Sequence, residues 1–208
     1  MKLYSYWQSS TSYRVRIALH LKGIPFDQVT LDLAKGDHRH PDYARINPMQ
    51  GVPALEIGDG ALLTQSLAIL RYLDHAYPSP RLIPNDPVMA ARVDAAALVI
   101  ATDIHPVNNR RVGQHLRSMG HGDNDLVDWM NHWMREGLVA FDALIDGGAF
   151  CFGTAPSLAD VCLIPQLHNA HRWGTDLEGL DRLQEIEQNC LDLKAFQLAH
   201  PDAQPDAT

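Results

Sequence analysis

The sequence predicts an α/β N-terminal domain with a mixed sheet, followed by an all-helical C-terminal domain. Three observations predict this division. The chain opens with strand, helix and strand patterns, a hairpin and another helix follow, and beyond a proline-rich segment only helical spacing occurs. A length of 208 residues is sufficient for two modest domains, each with its own core.

Strand and helix patterns alternate at the start of the chain. A run of aromatic and apolar residues over 2–7 predicts a strand. A helical pattern begins at Tyr13 and is expected to end at Gly23, a residue that commonly terminates helices. Residues 29–33 alternate between apolar and polar types, which predicts a second strand.

A hairpin and a helix complete the predicted N-terminal domain. The polar stretch 35–47 predicts at most a weak helix. Residues 52–57 and 61–63 flank a Gly-Asp-Gly turn, and helical spacing returns over 65–76. Strand–helix–strand crossovers make parallel neighbours and hairpins make antiparallel ones, so the sheet is expected to be mixed.

Four prolines between Tyr77 and Pro87 mark the predicted domain boundary, because proline removes amide donors and fixes the backbone angle φ. We therefore predict domains over residues 1–80 and 88–208. The helical patterns of the second domain cover residues 88–105, 126–145, 157–171 and 183–199.

Composition excludes several functional classes. The formal charge of −8 argues against nucleic acid as a partner, and no apolar run is long enough to predict a membrane span. We expect a cytoplasmic protein. The three cysteines, Cys151, Cys162 and Cys190, are widely spaced and are interpreted as core residues. None of the 11 histidines has the neighbours of a metal site, so no metal is expected.

Hydroxyl residues cluster at the first strand-to-helix turn, in Ser9-Ser10-Thr11-Ser12. Helix capping alone needs one of them. The alternative is an anion site formed by hydroxyls and free amides at the helix start. A thiol must lose about two pKa units to be mostly ionised at neutral pH, which corresponds to roughly 2.7 kcal/mol. One hydroxyl donor supplies about 1.5–3 kcal/mol and the helix end adds roughly 0.3–2 kcal/mol, so together they suffice without a cation.

Two later dipeptides are further candidates. Pro53 stands at the start of a strand, which fits either an edge proline or a cis bond that turns the Val52 backbone outward toward an extended peptide. Gln65-Ser66 opens a helix, which fits either simple capping or a site for an α-carboxylate.

Together these motifs resemble the zeta-class glutathione transferases. The resemblance covers nearly the whole chain, and within the class it is strongest to the glutathione-dependent maleylacetoacetate and maleylpyruvate isomerases. It rests on residues 9–19, Asn47-Pro48, Val52-Pro53, 65–69, 103–111, Ser157-Leu158-Ala159-Asp160 and Gln204-Pro205-Asp206.

The resemblance implies a thioredoxin-like N-terminal domain, an all-α C-terminal domain and a homodimer. It implies glutathione as cofactor and a small dicarboxylate keto acid as substrate. The implied reaction is cis–trans isomerisation of a maleyl keto acid in the breakdown of aromatic compounds. A general conjugating transferase and a catalytically silent interaction module remain alternatives. A thiol oxidoreductase is disfavoured, because no cysteine stands at the first turn.

The resemblance also implies roles for individual residues. The implied catalytic residues are Ser9, Ser10 and Thr11. The implied glutathione-binding residues are Ser9, Thr11, His38, Val52, Gln65, Ser66, Asp103 and His105. The implied substrate-binding residues are Gln8, His105, Asn109, Arg110, Arg111 and Arg172. The plain alternative for residues 108–111 is a solvated helix face.

Two positions depart from the family pattern. Thr11 stands where zeta-class proteins usually have cysteine, which removes a thiol that reductive dehalogenation would use. Gln8 stands where these isomerases often have arginine, which removes one expected carboxylate anchor.

Overall fold

The computed structural model of the protein describes all 208 residues. They form two compact units. The first contains Met1–Arg81 together with Leu191–Thr208, and the second contains Leu82–Cys190. The division after Arg81 lies within the proline-rich segment.

A mixed four-stranded sheet forms the centre of the first unit. Its strands are β1 (Lys2–Ser5), β2 (Asp27–Thr30), β3 (Ala54–Glu56) and β4 (Leu62–Thr64). Their order is β2-β1-β3-β4, with β1 parallel to β2 and antiparallel to β3. The predicted mixed sheet is therefore confirmed. The second strand ends at Thr30 and not at residue 33, and the first ends at Ser5 and not at residue 7.

The helices of the first unit are α1 (Ser10–Leu21), α2 (Pro41–Ile46), α3 (Ser66–Ala76) and α9 (Lys194–Ala199). Short 3₁₀ helices cover Asp37–Arg39 and Pro201–Ala203. Helices α1 and α3 pack against each other, and Ile17 and Leu73 are completely buried with Leu3 of β1. Removing such side chains from water is the main stabilising contribution to this unit.

The C-terminal residues pack with the first unit, although the sequence grouped them with residues 88–208. Helix α9 lies against α1, and its Phe196 and Ala199 are completely buried. The predicted helix over 183–199 is interrupted at Asp192 and Leu193, which separate α8 (Asp181–Leu191) from α9. This break lets the apolar side of α9 pack against α1.

The second unit is mostly helical. Besides α8 it contains α4 (Pro87–Leu98), a π-helical segment (Val99–Ile104), α5 (Arg110–Ser118), α6 (Asp123–Leu144) and α7 (Leu158–Trp173). A pair of two-residue parallel strands, β5 (Gly147–Gly148) and β6 (Phe152–Gly153), interrupts the helical pattern. Helix α7 is buried along most of its length and contacts α4 and α6, so it forms the core of this unit.

Asp160 fixes the start of α7. Its carboxylate accepts hydrogen bonds from the Ser157 amide at 2.8 Å and from the Ser157 hydroxyl at 2.7 Å. The three cysteines form no disulfide and are buried, as predicted. No helix of the structure is both long and apolar enough to span a membrane.

Candidate functional site

The hydroxyl cluster forms a directed chain of hydrogen bonds at the start of α1. Thr11 Oγ1 donates to the Val52 carbonyl oxygen at 2.8 Å and lies 2.9 Å from Ser9 Oγ. A threonine hydroxyl has one proton, and here the carbonyl takes it, so Ser9 is the donor to Thr11. Ser9 Oγ in turn accepts the Ser12 amide at 3.2 Å as the N-cap of α1. Ser9 therefore holds a proton that can rotate toward an incoming anion.

Ser10 and Gln8 flank Ser9. Ser10 is the first residue of α1, and Gln8 lies in the turn that precedes it. Both side chains are partly exposed. Five consecutive hydroxyl and amide residues, 8–12, thus occupy the turn after β1 and the first turn of α1, where the helix amides and their partial positive charge are concentrated.

The segment before β3 is held by the carbonyl of Gly51. This oxygen accepts the Tyr43 hydroxyl at 2.6 Å and the Asn47 side-chain amide at 2.7 Å. Burial raises the pKa of Tyr43 to about 12, so its hydroxyl remains a donor. The next residue, Val52, precedes a cis bond to Pro53, as one of the two alternatives proposed. The Val52 amide has no acceptor within the chain, so it is available to an extended ligand.

Helix α3 begins without a side-chain cap, and its N-cap residue Gln65 has φ 68° and ψ 116°. A non-glycine residue in this region costs about 1–3 kcal/mol, and such strain is concentrated at functional sites. Ser66 is buried and accepts a hydrogen bond from Arg14 Nη1 at 3.3 Å. The first amides of α3 and the oriented Ser66 hydroxyl form a set of donors suited to a carboxylate.

His38 lies in the short 3₁₀ helix between β2 and α2 and is partly exposed. Among the other predicted residues of the first unit, Ser9, Thr11 and Val52 are brought together directly by hydrogen bonds. Ser66 is joined to α1 through Arg14.

The other predicted residues belong to the second unit. Asp103 lies in the π-helical segment and is exposed, and His105 follows that segment and is partly exposed. Asn109 is the N-cap of α5, with its Oδ1 accepting the Arg111 amide at 3.0 Å. This capping bond gives Asn109 a structural role in addition to the predicted one.

Arg110 and Arg111 are the first two residues of α5, and both are exposed. Cations are unfavourable at a helix N-terminus, because the helix dipole is positive there. A location that costs stability without a visible compensating contact is typical of a functional residue. Arg172, near the end of α7, donates to Asn169 Oδ1 at 2.9 Å.

Sequence analysis missed two buried arginines in α1. Arg14 is 1% exposed and Arg16 is completely buried. Arg16 donates to backbone carbonyls around the turn that carries Ser9. One feature of the sequence could have indicated their burial. The two arginines alternate with apolar residues at the centre of a short helix, and residues two positions apart do not lie on the same solvated face.

The chain is similar to known proteins over nearly its whole length. Residues 1–75 match the family described as "Glutathione S-transferase, N-terminal domain", and residues 134–186 match the corresponding C-terminal domain. The chain is 43% identical to maleylacetoacetate isomerase of Pseudomonas aeruginosa over 208 residues, which are 99% of this chain and 98% of that protein.

Two solved structures are also closely similar. One is a holo maleylpyruvate isomerase, described as a bacterial zeta-class enzyme, with a TM-score of 0.97, 39% identity and complete coverage of both chains. The other is maleylacetoacetate isomerase of Anaeromyxobacter dehalogenans with bound glutathione. It has a TM-score of 0.91 and 41% identity, and covers 100% of this chain and 97% of that one. The chain therefore belongs to the zeta class of glutathione transferases, in the group that contains the maleylacetoacetate and maleylpyruvate isomerases.

Proposed function

We propose that this protein is a glutathione-dependent isomerase that converts a maleyl keto acid into its fumaryl isomer. The observation that carries the proposal is the chain of hydrogen bonds from Ser9 through Thr11 to Val52. It occurs at the first turn of α1 in a protein 43% identical to a maleylacetoacetate isomerase.

Three features of the first unit fit different parts of glutathione. The Ser9 hydroxyl suits the sulfur, and the Val52 amide suits the extended cysteinyl backbone. The uncapped start of α3, with Gln65 and Ser66, suits the α-carboxylate of the γ-glutamyl residue. When bound, glutathione supplies a thiolate that adds reversibly to the substrate's double bond and so permits rotation about it.

Ser9 is proposed to stabilise that thiolate by turning its proton from Thr11 to the sulfur. A hydrogen bond to a charged group is worth about 1.5–3 kcal/mol, and the nearby helix start contributes about 0.3–1 kcal/mol or more. This range covers the roughly 2.7 kcal/mol that a fall of two pKa units requires. Ser10 is proposed to contribute a further donor at the same turn, since it occupies the first position of α1.

The remaining proposed contacts to glutathione involve His38, Asp103 and His105. His38 suits the glycine carboxylate, because its partly exposed imidazole, within the 3₁₀ helix Asp37–Arg39, can donate a hydrogen bond. Asp103 suits the α-amino group, since an exposed carboxylate attracts an ammonium ion. His105 can donate to either ligand.

The substrate is a dianion, and the proposed anchors for its two carboxylates are Arg110, Arg111 and Arg172, with Gln8 and Asn109 as hydrogen-bonding partners. A guanidinium group binds a carboxylate through two parallel hydrogen bonds, which fixes orientation as well as affinity. Gln8 can hydrogen-bond a carboxylate but brings no charge. The exposed side chains of Arg110 and Arg111 leave both guanidinium groups available.

The direct test is an isomerisation assay with maleylpyruvate and maleylacetoacetate, each with and without glutathione and with a chelator. We expect turnover of at least one compound that requires glutathione and survives the chelator. Conjugation of chlorodinitrobenzene serves as the comparison. Conjugation far faster than isomerisation would favour a general transferase, and absence of glutathione binding in calorimetry would favour a silent module.

A homodimer and a cytoplasmic location are also part of the proposal. Membership of the family supports the dimer, as do exposed apolar residues on α4 and α6, among them Val88, Leu98 and Val139. A monomer mass in light scattering at micromolar concentration would contradict it. Three cysteines that form no disulfide support a reducing compartment.

A further inference from the structure

The turn that carries Ser9 is bound on both sides by charged side chains. Tyr6 to Ser9 connects β1 to α1, and the Ser9 amide donates to the Tyr6 carbonyl oxygen at 3.0 Å. Arg16 Nη1 donates to the same carbonyl at 3.3 Å, and Arg16 Nη2 donates to the Trp7 carbonyl at 3.1 Å. The backbone conformation ahead of Ser9 is therefore set by a guanidinium group within α1.

Arg16 also connects this turn to the C-terminal segment. Its Nε donates to the Ala199 carbonyl at 2.9 Å, and its Nη1 donates to Ser5 Oγ at 3.1 Å. Burial lowers the pKa of Arg16 to about 10, while the attraction of Tyr13 and Asp206 acts in the opposite direction. Arg16 therefore remains a cation at neutral pH.

Asp206 holds the turn from the other side. Its Oδ2 accepts the Trp7 amide at 3.1 Å, while its Oδ1 is buried and accepts no hydrogen bond from the chain. The Tyr6–Trp7 peptide group thus meets a carboxylate at its N–H, through Trp7, and a guanidinium at its C=O, through Tyr6. A peptide group held by two opposite charges has little freedom to rotate.

We propose that Asp206, with Arg16, is a positioning residue for the reaction, because it fixes the Tyr6–Trp7 peptide group and thereby the direction of the Ser9 hydroxyl and the Gln8 side chain. Asp206 acts through the turn and touches neither substrate nor glutathione. This inference rests on the proposed role of Ser9. By this inference, the C-terminal segment that contains Asp206 helps to orient the site residues in the turn between β1 and α1.

The test compares Asp206→Ala, Asp206→Asn and the control Asp202→Asn. Asp202 lies on the same segment, and its side chain is 76% exposed. We expect Asp206→Ala to lower kcat about tenfold, less than the roughly hundredfold that a misplacement of about 1 Å can cost. The thiol pKa of bound glutathione should rise, and the KM for glutathione should change less than kcat. Asp206→Asn keeps an acceptor for the Trp7 amide, so it should recover part of the loss, and Asp202→Asn should match the wild type.

The thiol pKa separates positioning from simple loss of folding. A variant that only loses folded protein would give a smaller active fraction with an unchanged thiol pKa, and that result would overturn the inference. Wild-type kcat and thiol pKa in Asp206→Ala would also overturn it. If Ser9→Ala shifts the thiol pKa and Asp206→Ala does not, only this inference fails. If Ser9→Ala leaves the thiol pKa unchanged, both the proposed role of Ser9 and the inference about Asp206 fail.

Discussion

The Thr11 hydroxyl donates its proton to the carbonyl oxygen of Val52, 41 residues further along the chain and 2.8 Å away. This bond joins the first turn of α1 to the segment before β3. It also decides the direction of the next bond, because Thr11 can then only accept from Ser9. Thr11 therefore holds the backbone that is proposed to bind glutathione, and Ser9 is left as the hydroxyl proposed to face the sulfur.

The first prediction concerns this division of roles. Thr11→Val retains the shape of the side chain and removes its hydroxyl, so the Val52 carbonyl loses one donor. A neutral hydrogen bond is worth about 0.5–1.5 kcal/mol, and we expect the KM for glutathione to rise roughly 2- to 12-fold with a smaller change in kcat. Thr11→Ser is the matched control and should behave like the wild type in steady-state kinetics. A fall in kcat alone would show that Thr11 acts on the sulfur instead.

A second prediction follows from the backbone of Gln65. Its φ of 68° is unfavourable for any residue with a Cβ, so Gln65→Gly should relieve the strain. We expect the free energy of unfolding to rise by up to about 1 kcal/mol, because the greater entropy of glycine in the unfolded chain offsets part of the gain. The KM for glutathione should rise at the same time, since the side-chain contact is lost.

Gln65→Ala is the control for this pair of effects. It removes the same contact and keeps the strain, so its KM should rise without a gain in stability. Chemical denaturation and glutathione kinetics measure both quantities. Equal stability of the two variants would contradict the account of strain at Gln65.

The third prediction concerns the start of α5. Arg110→Ala and Arg111→Ala each remove a proposed carboxylate anchor and also a cation from the positive end of a helix. We expect the KM for the keto acid to rise about tenfold in at least one variant, with the thiol pKa unchanged and the stability slightly increased. Arg117→Ala is the control, because Arg117 lies on the same helix and pairs with Asp123 at 2.9 Å. A wild-type KM in both variants would contradict this role and favour the alternative that residues 108–111 are a solvated helix face.

The fourth prediction concerns the cysteines. Burial raises the pKa of Cys151 and of Cys190, so both thiols stay protonated at neutral pH and above. All three cysteines are buried, and we expect a thiol reagent to react with three groups in denaturant and with essentially none in the native protein. Iodoacetamide treatment followed by its removal should leave the isomerase activity intact. Rapid inactivation of the native protein would assign one of these thiols to the reaction.

Much of the first unit could be predicted from local sequence. The hairpin around Gly58-Asp59-Gly60 and the helix that begins after Gln65 follow from turn residues and apolar spacing alone. The mixed sheet then follows from the order of its elements. Ser9 could likewise be proposed as a site residue from local sequence, since a cluster of hydroxyl residues at a helix start indicates either a helix cap or an anion site.

The features that escaped prediction depend on distant residues. Local spacing could not show that Asp206 meets Trp7, because 199 residues separate them. The same holds for the return of α9 to α1, where the break at Asp192 and Leu193 contains no glycine or proline. Arg16 escaped because an arginine within a helix is usually solvated, and here three backbone carbonyls compensate for its burial.

The central claim is that Ser9 stabilises the thiolate of bound glutathione, and an ultraviolet titration of that thiolate tests it most directly. We expect Ser9→Ala to raise the thiol pKa by about one to two units and to lower kcat roughly 10- to 150-fold, because a hydrogen bond of about 1.5–3 kcal/mol to the charged sulfur is lost. Glutathione affinity should stay close to that of the wild type, since Val52, Gln65 and Ser66 are proposed to hold the rest of the tripeptide. An unchanged thiol pKa and an unchanged kcat in Ser9→Ala would contradict the claim and reduce Ser9 to the N-cap of α1.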